Sequence, residues 1–155
     1  MGVIRFNNRF FLKKGFTLIE IIVVISIFSV LSLVGLPSFK RTLAHHKLNI
    51  AAHQIAQHIR LAQQKALSEG TSYRIIFDLH NKDNYFIKKG NKGQKIYLTK
   101  NIVLAWTNFD KDTLIFYMSG APAQAGTIAI KNNKDKLYII VSVATGRVRI
   151  SKTPP

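Results

Sequence analysis

One stretch constrains this chain more than any other. From Phe16 to Leu36 there are 21 residues, and Glu20 is the only charge among them. Ile, Val, Leu and Phe dominate the run, and Pro37 follows it. At about 1.5 Å per residue, a helix of that length spans roughly 30 Å, one bilayer core. Residues 16–37 therefore read as a transmembrane helix. A carboxylate one turn inside such a helix costs about 2.5–3.5 kcal/mol or more, so Glu20 is expected to have a partner. Pro37 removes a backbone donor and crowds the turn before it, which predicts a kink near Val34–Leu36, eased by Gly35. Arg5, Arg9, Lys13 and Lys14 precede the run with no acid among them. Those charges hold that end in the cytoplasm and place the rest of the chain across the membrane. Residues 1–15 are not a general secretory signal, because no small-residue cleavage site follows the apolar region.

The segment Lys13-Lys14-Gly15-Phe16-Thr17-Leu18-Ile19-Glu20, with its apolar run and Pro37, resembles the class III signal of type IV prepilins and type II secretion pseudopilins. The resemblance implies that residues 1–15 are a cytoplasmic leader. A prepilin peptidase would cut between Gly15 and Phe16, and the new Phe16 amine would be N-methylated. It also implies that Glu20 meets the Phe16 amine of a neighbouring subunit, making residues 16–37 an assembly helix as well. Other pilins and inner-membrane lipid are then expected partners. Opposite charges attract strongly where water is absent, and each relieves the other's desolvation.

Residues 38–69 contain no Pro or Gly, so the helix is expected to resume. Leu48, Ala51, Ala52, Ile55, Ile59, Ala62 and Ala66 recur at three- and four-residue spacing and form one apolar stripe. Lys40, Arg41, Lys47, Arg60 and Lys65 lie mainly off it, and Gly70 is a good terminator. The alanines would let a sheet approach closely.

After Gly70 the period changes to two, with β-branched and aromatic residues. The pattern predicts strands at Ser72–Leu79, Asn84–Lys89, Lys95–Thr99, Ile102–Trp106, Thr113–Met118, Thr127–Lys131, Leu137–Val143 and Arg147–Ile150. Turns are expected at His80–Asp83, Gly90–Gly93, Ser119–Pro122, Asn132–Lys136 and Thr145–Gly146. Residues 70–155 thus form a β-rich periplasmic domain. The expected fold is α+β and pilin-like: one long helix, half membrane and half amphipathic, packed on antiparallel sheet. There is no Cys, so the core must suffice without disulfides.

Charge narrows the partners. The chain has 23 Lys and Arg against 7 Asp and Glu, a net charge of +16. Removing the leader takes away four cations, leaving 19 against 7, or +12. That excess favours a polyanion: nucleic acid, anionic lipid or an acidic protein.

Phe116, Ser119-Gly120, Gly126-Thr127-Ile128, Ile139–Ser142 and Gly146-Arg147-Val148-Arg149 are similar to the GspH/FimT group of pilin-like proteins. The FimT branch contains minor type IV pilins linked to natural transformation. In that branch a Gly-Arg-x-Arg element binds DNA. The GspH branch contains minor pseudopilins of type II secretion. In a strand, Arg147 and Arg149 point to one face while Val148 and Ile150 anchor the other. Arginine's planar fork suits phosphate. Gly146 permits the preceding turn, and Lys152 adds a third charge if the extended chain continues. Lys88, Lys89, Lys92 and Lys95 gather near one hairpin turn, and Lys131, Lys134 and Lys136 near another. These are expected to be supporting basic loops. Tyr85, Tyr97 and Trp106 are candidates for stacking on single-stranded bases, with burial in the core the commoner role.

No metal or cofactor site is expected. His45, His46, His53 and His58 share the long helix, but only His46 and His53 share a face. Those two are separated by two turns, roughly 10 Å, too far for one ion. They read as solvated helix histidines, and His80 as a turn residue. No catalytic constellation is expected either. There is no Cys nucleophile and no Gly-rich phosphate loop, and the aspartates sit at strand ends and turns. The expected function is a minor type IV pilin that binds DNA non-specifically during transformation. It would sit in the bacterial inner membrane and then in the pilus at the cell surface. The alternatives are a GspH-like pseudopilin of type II secretion and a structural minor pilin without DNA binding.

Overall fold

The computed structural model describes residues 15–143 and 146–154, with the side chains of 34–38 outside that description. A single helix, α1, is assigned from Leu18 to Glu69, and it passes Pro37 unbroken. The chain divides into two units, Met1–Phe39 and Lys40–Pro155.

In the first unit, α1 opens with a reciprocal cap. The Glu20 backbone N–H donates to Thr17 Oγ1 at 3.3 Å, and the Thr17 N–H donates to a Glu20 carboxylate oxygen at 3.4 Å. Thr-x-x-Glu is the spacing of a capping box, which satisfies two orphan donors at a helix start. Ser26, Ser29 and Ser32 each donate to the carbonyl four residues earlier, at 2.8 Å. Their hydroxyls are therefore satisfied within the helix. The apolar side chains from Phe16 to Leu33 are exposed. Among the described residues no helix is long and apolar enough to cross a membrane. The expected span at 16–36 runs into positions 34–36, whose side chains lie outside the described residues. The leader residues 1–14 lie outside them too.

The second unit holds the core. Every residue of the predicted stripe, Leu48 to Ala66, is fully buried, together with Ala56. The helix ends on Gly70, at φ +56°, and the Thr71 N–H returns to the Ala66 carbonyl at 3.3 Å. That is a Schellman termination, which glycine favours because φ is positive there.

The strands are β1 Tyr73–Phe77, β2 Asn84–Lys89, β3 Lys92–Tyr97, β4 Val103–Thr107, β5 Thr113–Phe116, β6 Gly126–Lys131, β7 Lys136–Val141 and β8 Val148–Ser151. Among the described residues they form two antiparallel sheets rather than one. Their orders are β3-β2-β1-β5 and β4-β6-β7-β8. Side chains from α1 and from both sheets fill one core, including Ile75, Phe77, Leu114, Ile128 and Ile139. Every core side chain lies between Leu48 and Val148. The Lys40–Pro155 unit therefore carries its own complete core.

One turn differs from expectation. Gly90-Asn91 alone connects β2 to β3, with Gly90 at φ +56°, so Lys92 and Gly93 belong to β3 and not to the turn. Gly93 is required there because a Cβ would come within 2.6 Å of the Lys88 side chain. The first turn is organised by Asp78, whose carboxylate accepts from the His80 and Asn81 backbone N–H groups at 3.1 and 3.0 Å. The Asn81 donors, with help from Asn84, hold its pKa down at about 2.

Candidate nucleic-acid interface

Among the described residues β8 borders the second sheet and pairs only with β7, with Ile140 opposite Arg149 and Val141 opposite Val148. The predicted alternation holds. Val148 is buried at 6% exposure, Ile150 packs partly against the core, and Arg147 and Arg149 are exposed. Arg147 itself precedes β8, but its carbonyl still accepts from the Ser142 N–H at 3.0 Å. The Gly146 N–H donates to the Ser142 carbonyl, also at 3.0 Å. Residues 144–145, where the turn was expected to begin, lie outside the described residues.

Gly146 has two reasons to be glycine. Its φ is +63°, and a Cβ would stand 2.1 Å from Gln63 Nε2. Gln63 donates to the Gly120 carbonyl at 3.0 Å. One turn earlier on α1, Arg60 Nη2 donates to the Val148 carbonyl at 3.2 Å. The helix thus grips the start of β8 with a guanidinium and leaves room for it with a glycine.

Two open clefts result. One, of about 380 Å³, is lined by Arg60, Gln63, Gln64, Gly146, Arg147 and Val148. The other, of about 240 Å³, is lined by Ile140, Ser142, Arg147 and Arg149. Arg147 borders both. The lining is cationic and amide, suited to an oxyanion such as phosphate. Residues 136–155 contain no Asp or Glu.

The other candidates fare differently. β8 ends at Ser151 and the chain bends at Lys152, which is exposed. The extended run that would have aligned Lys152 with the arginines is therefore absent, and strand alternation would in any case give it the opposite parity. The basic loops are mostly not loops. Lys88 and Lys89 belong to β2, Lys92 and Lys95 to β3, and Lys131 and Lys136 to the ends of β6 and β7. Only Lys134 lies in a connection, where its N–H donates to Asn132 Oδ1 at 2.8 Å. Lys89 is committed to Glu69, which also accepts from the Tyr73 hydroxyl at 2.8 Å. The hydrogen bond from Lys89 is the main cause that lowers the Glu69 pKa and raises that of Lys89.

Among the aromatic candidates, Tyr85 is fully buried and its hydroxyl meets His58 Nδ1. Burial raises the Tyr85 pKa and lowers that of His58, so His58 is not the solvated residue expected. Trp106 packs against Tyr138, with ring centroids 6.1 Å apart. Tyr97 is exposed. His45 meets Asp135 at 3.4 Å. No group of three or more His, Asp or Glu suited to a metal occurs among the described residues.

Arg60 is the residue that sequence reasoning missed. It appeared only as a charge off the apolar stripe. Its closeness to Val148 depends on a pairing 88 residues apart, which no local spacing encodes.

The comparisons with known proteins agree with this architecture. Residues 11–36 match the prokaryotic N-terminal methylation motif. Residues 51–146 match the family described as type II transport protein GspH, which is more than half of the chain. The chain belongs to the GspH family. It is a pilin-like subunit of the minor pilin and pseudopilin kind. It is 29% identical over 141 residues to competence protein ComGD of Bacillus subtilis, covering 90% of this chain and 94% of that one. In fold it is similar to the minor pseudopilin EpsH of the Vibrio cholerae type 2 secretion system. That match has a TM-score of 0.57 at 14% identity, over 68% of this chain and 97% of EpsH. It is likewise similar to the type IV minor pilin FimU of Pseudomonas aeruginosa, with a TM-score of 0.55 at 18% identity, over 69% and 90% of the two chains.

Proposed function

We propose that this GspH-family chain is a minor type IV pilin of the FimT kind, which binds DNA non-specifically and assists its uptake during natural transformation. The observation that carries the reading is the exposed pair Arg147 and Arg149 on either side of buried Val148. A guanidinium can offer two hydrogen bonds to a phosphate. Such contacts read the backbone rather than the bases, and they weaken as salt rises. Lys131, Lys134, Lys136 and Lys152 add to the field around them. The likeness to a competence protein supports the reading.

The N-terminal part completes it. A prepilin peptidase would cleave between Gly15 and Phe16 and leave an N-methylated amine. The helix from Phe16 would cross the membrane once and carry the β-domain to the outer side, periplasmic in a two-membrane cell. In the filament, Glu20 would meet the Phe16 amine of the next subunit. The Thr17–Glu20 cap supports this by holding the carboxylate beside the helix start, where the new amine would form.

The family's description favours a second reading, a minor pseudopilin of type II secretion. That reading leaves the +12 charge of the cleaved chain without a use. A chromosomal Arg147→Gln/Arg149→Gln variant separates the two. Transformation should fall at least about ten-fold, as two charge-assisted phosphate interactions disappear, while filament assembly and protein secretion stay at parent levels. Normal transformation with impaired secretion would overturn the DNA-uptake reading and support the pseudopilin.

A further inference from the structure

A second basic surface lies on the outer face of the β3-β2-β1-β5 sheet, where the arginine strand has no part. Tyr73, Ile75, Phe77 and Tyr85 point into the core. The alternate positions Arg74, Phe86, Lys88, Lys95 and Tyr97 point away from it. Arg74 stands opposite Lys88, Phe86 opposite Lys95, and Tyr97 one diagonal step along β3. Lys88 Nζ lies 5.5 Å from the Phe86 ring centroid, and Lys95 Nζ lies 5.6 Å from it. Lys95 Nζ is also 4.8 Å from the Tyr97 centroid, and Tyr97 is 61% exposed.

Folding does not account for this face. Like charges directly opposite each other destabilise a sheet, and no strand of this sheet contains an acid to relieve Arg74 and Lys88. Lysines on β3 protect an edge from pairing with other chains. Arg74 also donates to the Gly90 carbonyl at 3.1 Å, but edge protection explains neither Lys88 on the inner strand β2 nor an exposed phenol beside Lys95.

We propose that this face binds single-stranded nucleic acid, with Tyr97 stacked on a base and Lys95, Lys88 and Arg74 along the phosphates. Every base has a π-face, so stacking on an aromatic side chain tolerates any sequence. The ammonium groups of Lys88 and Lys95, held close to the rings, are placed to meet the phosphates beside a stacked base. The site stands on residues other than Arg147 and Arg149, so the two can fail separately.

The test uses the full chain in nonionic detergent and fluorescence anisotropy. The probes are a labelled oligothymidine about 20 nucleotides long, enough to cross one such face, and an abasic strand of equal length. The oligothymidine should bind at least about five-fold more tightly, the minimum for one stacked base. Tyr97→Ala should erase that preference, and Tyr97→Phe should keep it. Arg147→Gln/Arg149→Gln should weaken both strands alike and leave the preference intact. Equal affinity of the parent for the two strands would overturn the proposal, leaving a surface for any polyanion, an acidic protein included. A preference that survives Tyr97→Ala would overturn it as well. Absence of binding to either strand would overturn this proposal, while the DNA-uptake reading would stand or fall on duplex binding.

Discussion

Gly146 shows how much one residue can decide. It sits at φ +63° with the Gln63 amide where a side chain would begin. Gln63 can swing aside, so the main cost of Gly146→Ala is the left-handed backbone, with the Gln63–Gly120 hydrogen bond broken as well. The variant should be destabilised by about 1–2 kcal/mol, read as a lower urea midpoint at unchanged slope. His58 sets a pH dependence. Burial lowers its folded pKa, so the unfolded chain binds the extra proton as pH falls below the usual histidine value of about 6.5. The associated stability is present above that pH and is lost as pH falls toward the folded pKa. Thermal melts between about pH 7.5 and 5 should therefore decline in the parent, and less steeply in His58→Gln. Glu20 was legible as an acid in need of a partner. Its link to Thr17 in the same chain is also written in the sequence, as Thr-x-x-Glu.

At the scale of elements, periodicity was the reliable guide. The stripe from Leu48 to Ala66 is buried without exception because three- and four-residue spacing puts those positions on one helix face. Its alanines are a packing requirement, since α1 side chains share one core with both sheets. Ala62→Leu would place extra volume at a site with no exposure and should cost about 1–3 kcal/mol, seen as a lower melting temperature of the Lys40–Pro155 unit. Strand existence was equally legible, and boundaries were less so. Lys92 and Gly93 read as turn residues, yet pairing with Lys89 and Lys88 draws them into β3. The division into two sheets was not visible, because which strands neighbour each other depends on contacts far apart in sequence. The same limit hid Arg60, whose partner carbonyl belongs to β8.

At the scale of the whole molecule, charge and chain order tell the functional story. The 7 acids are outnumbered by 23 cations, and the last acid is Asp135. Glu69, Asp78 and Asp135 are engaged by Lys89, by the His80–Asn81 turn and by His45 respectively. These acids are thus used within the fold, and the surplus of positive charge faces outward at Arg147, Arg149 and the outer face of the first sheet. The most direct test of the DNA-binding claim is a salt titration of duplex DNA binding by the Lys40–Pro155 unit, parent against Arg147→Gln/Arg149→Gln. The logarithm of the parent's affinity should fall linearly with the logarithm of salt concentration. In the double variant affinity should be weaker on every sequence tried, with a slope shallower by about 2, one for each phosphate that an arginine no longer neutralises. Equal affinity and equal slope in the two proteins would contradict the account.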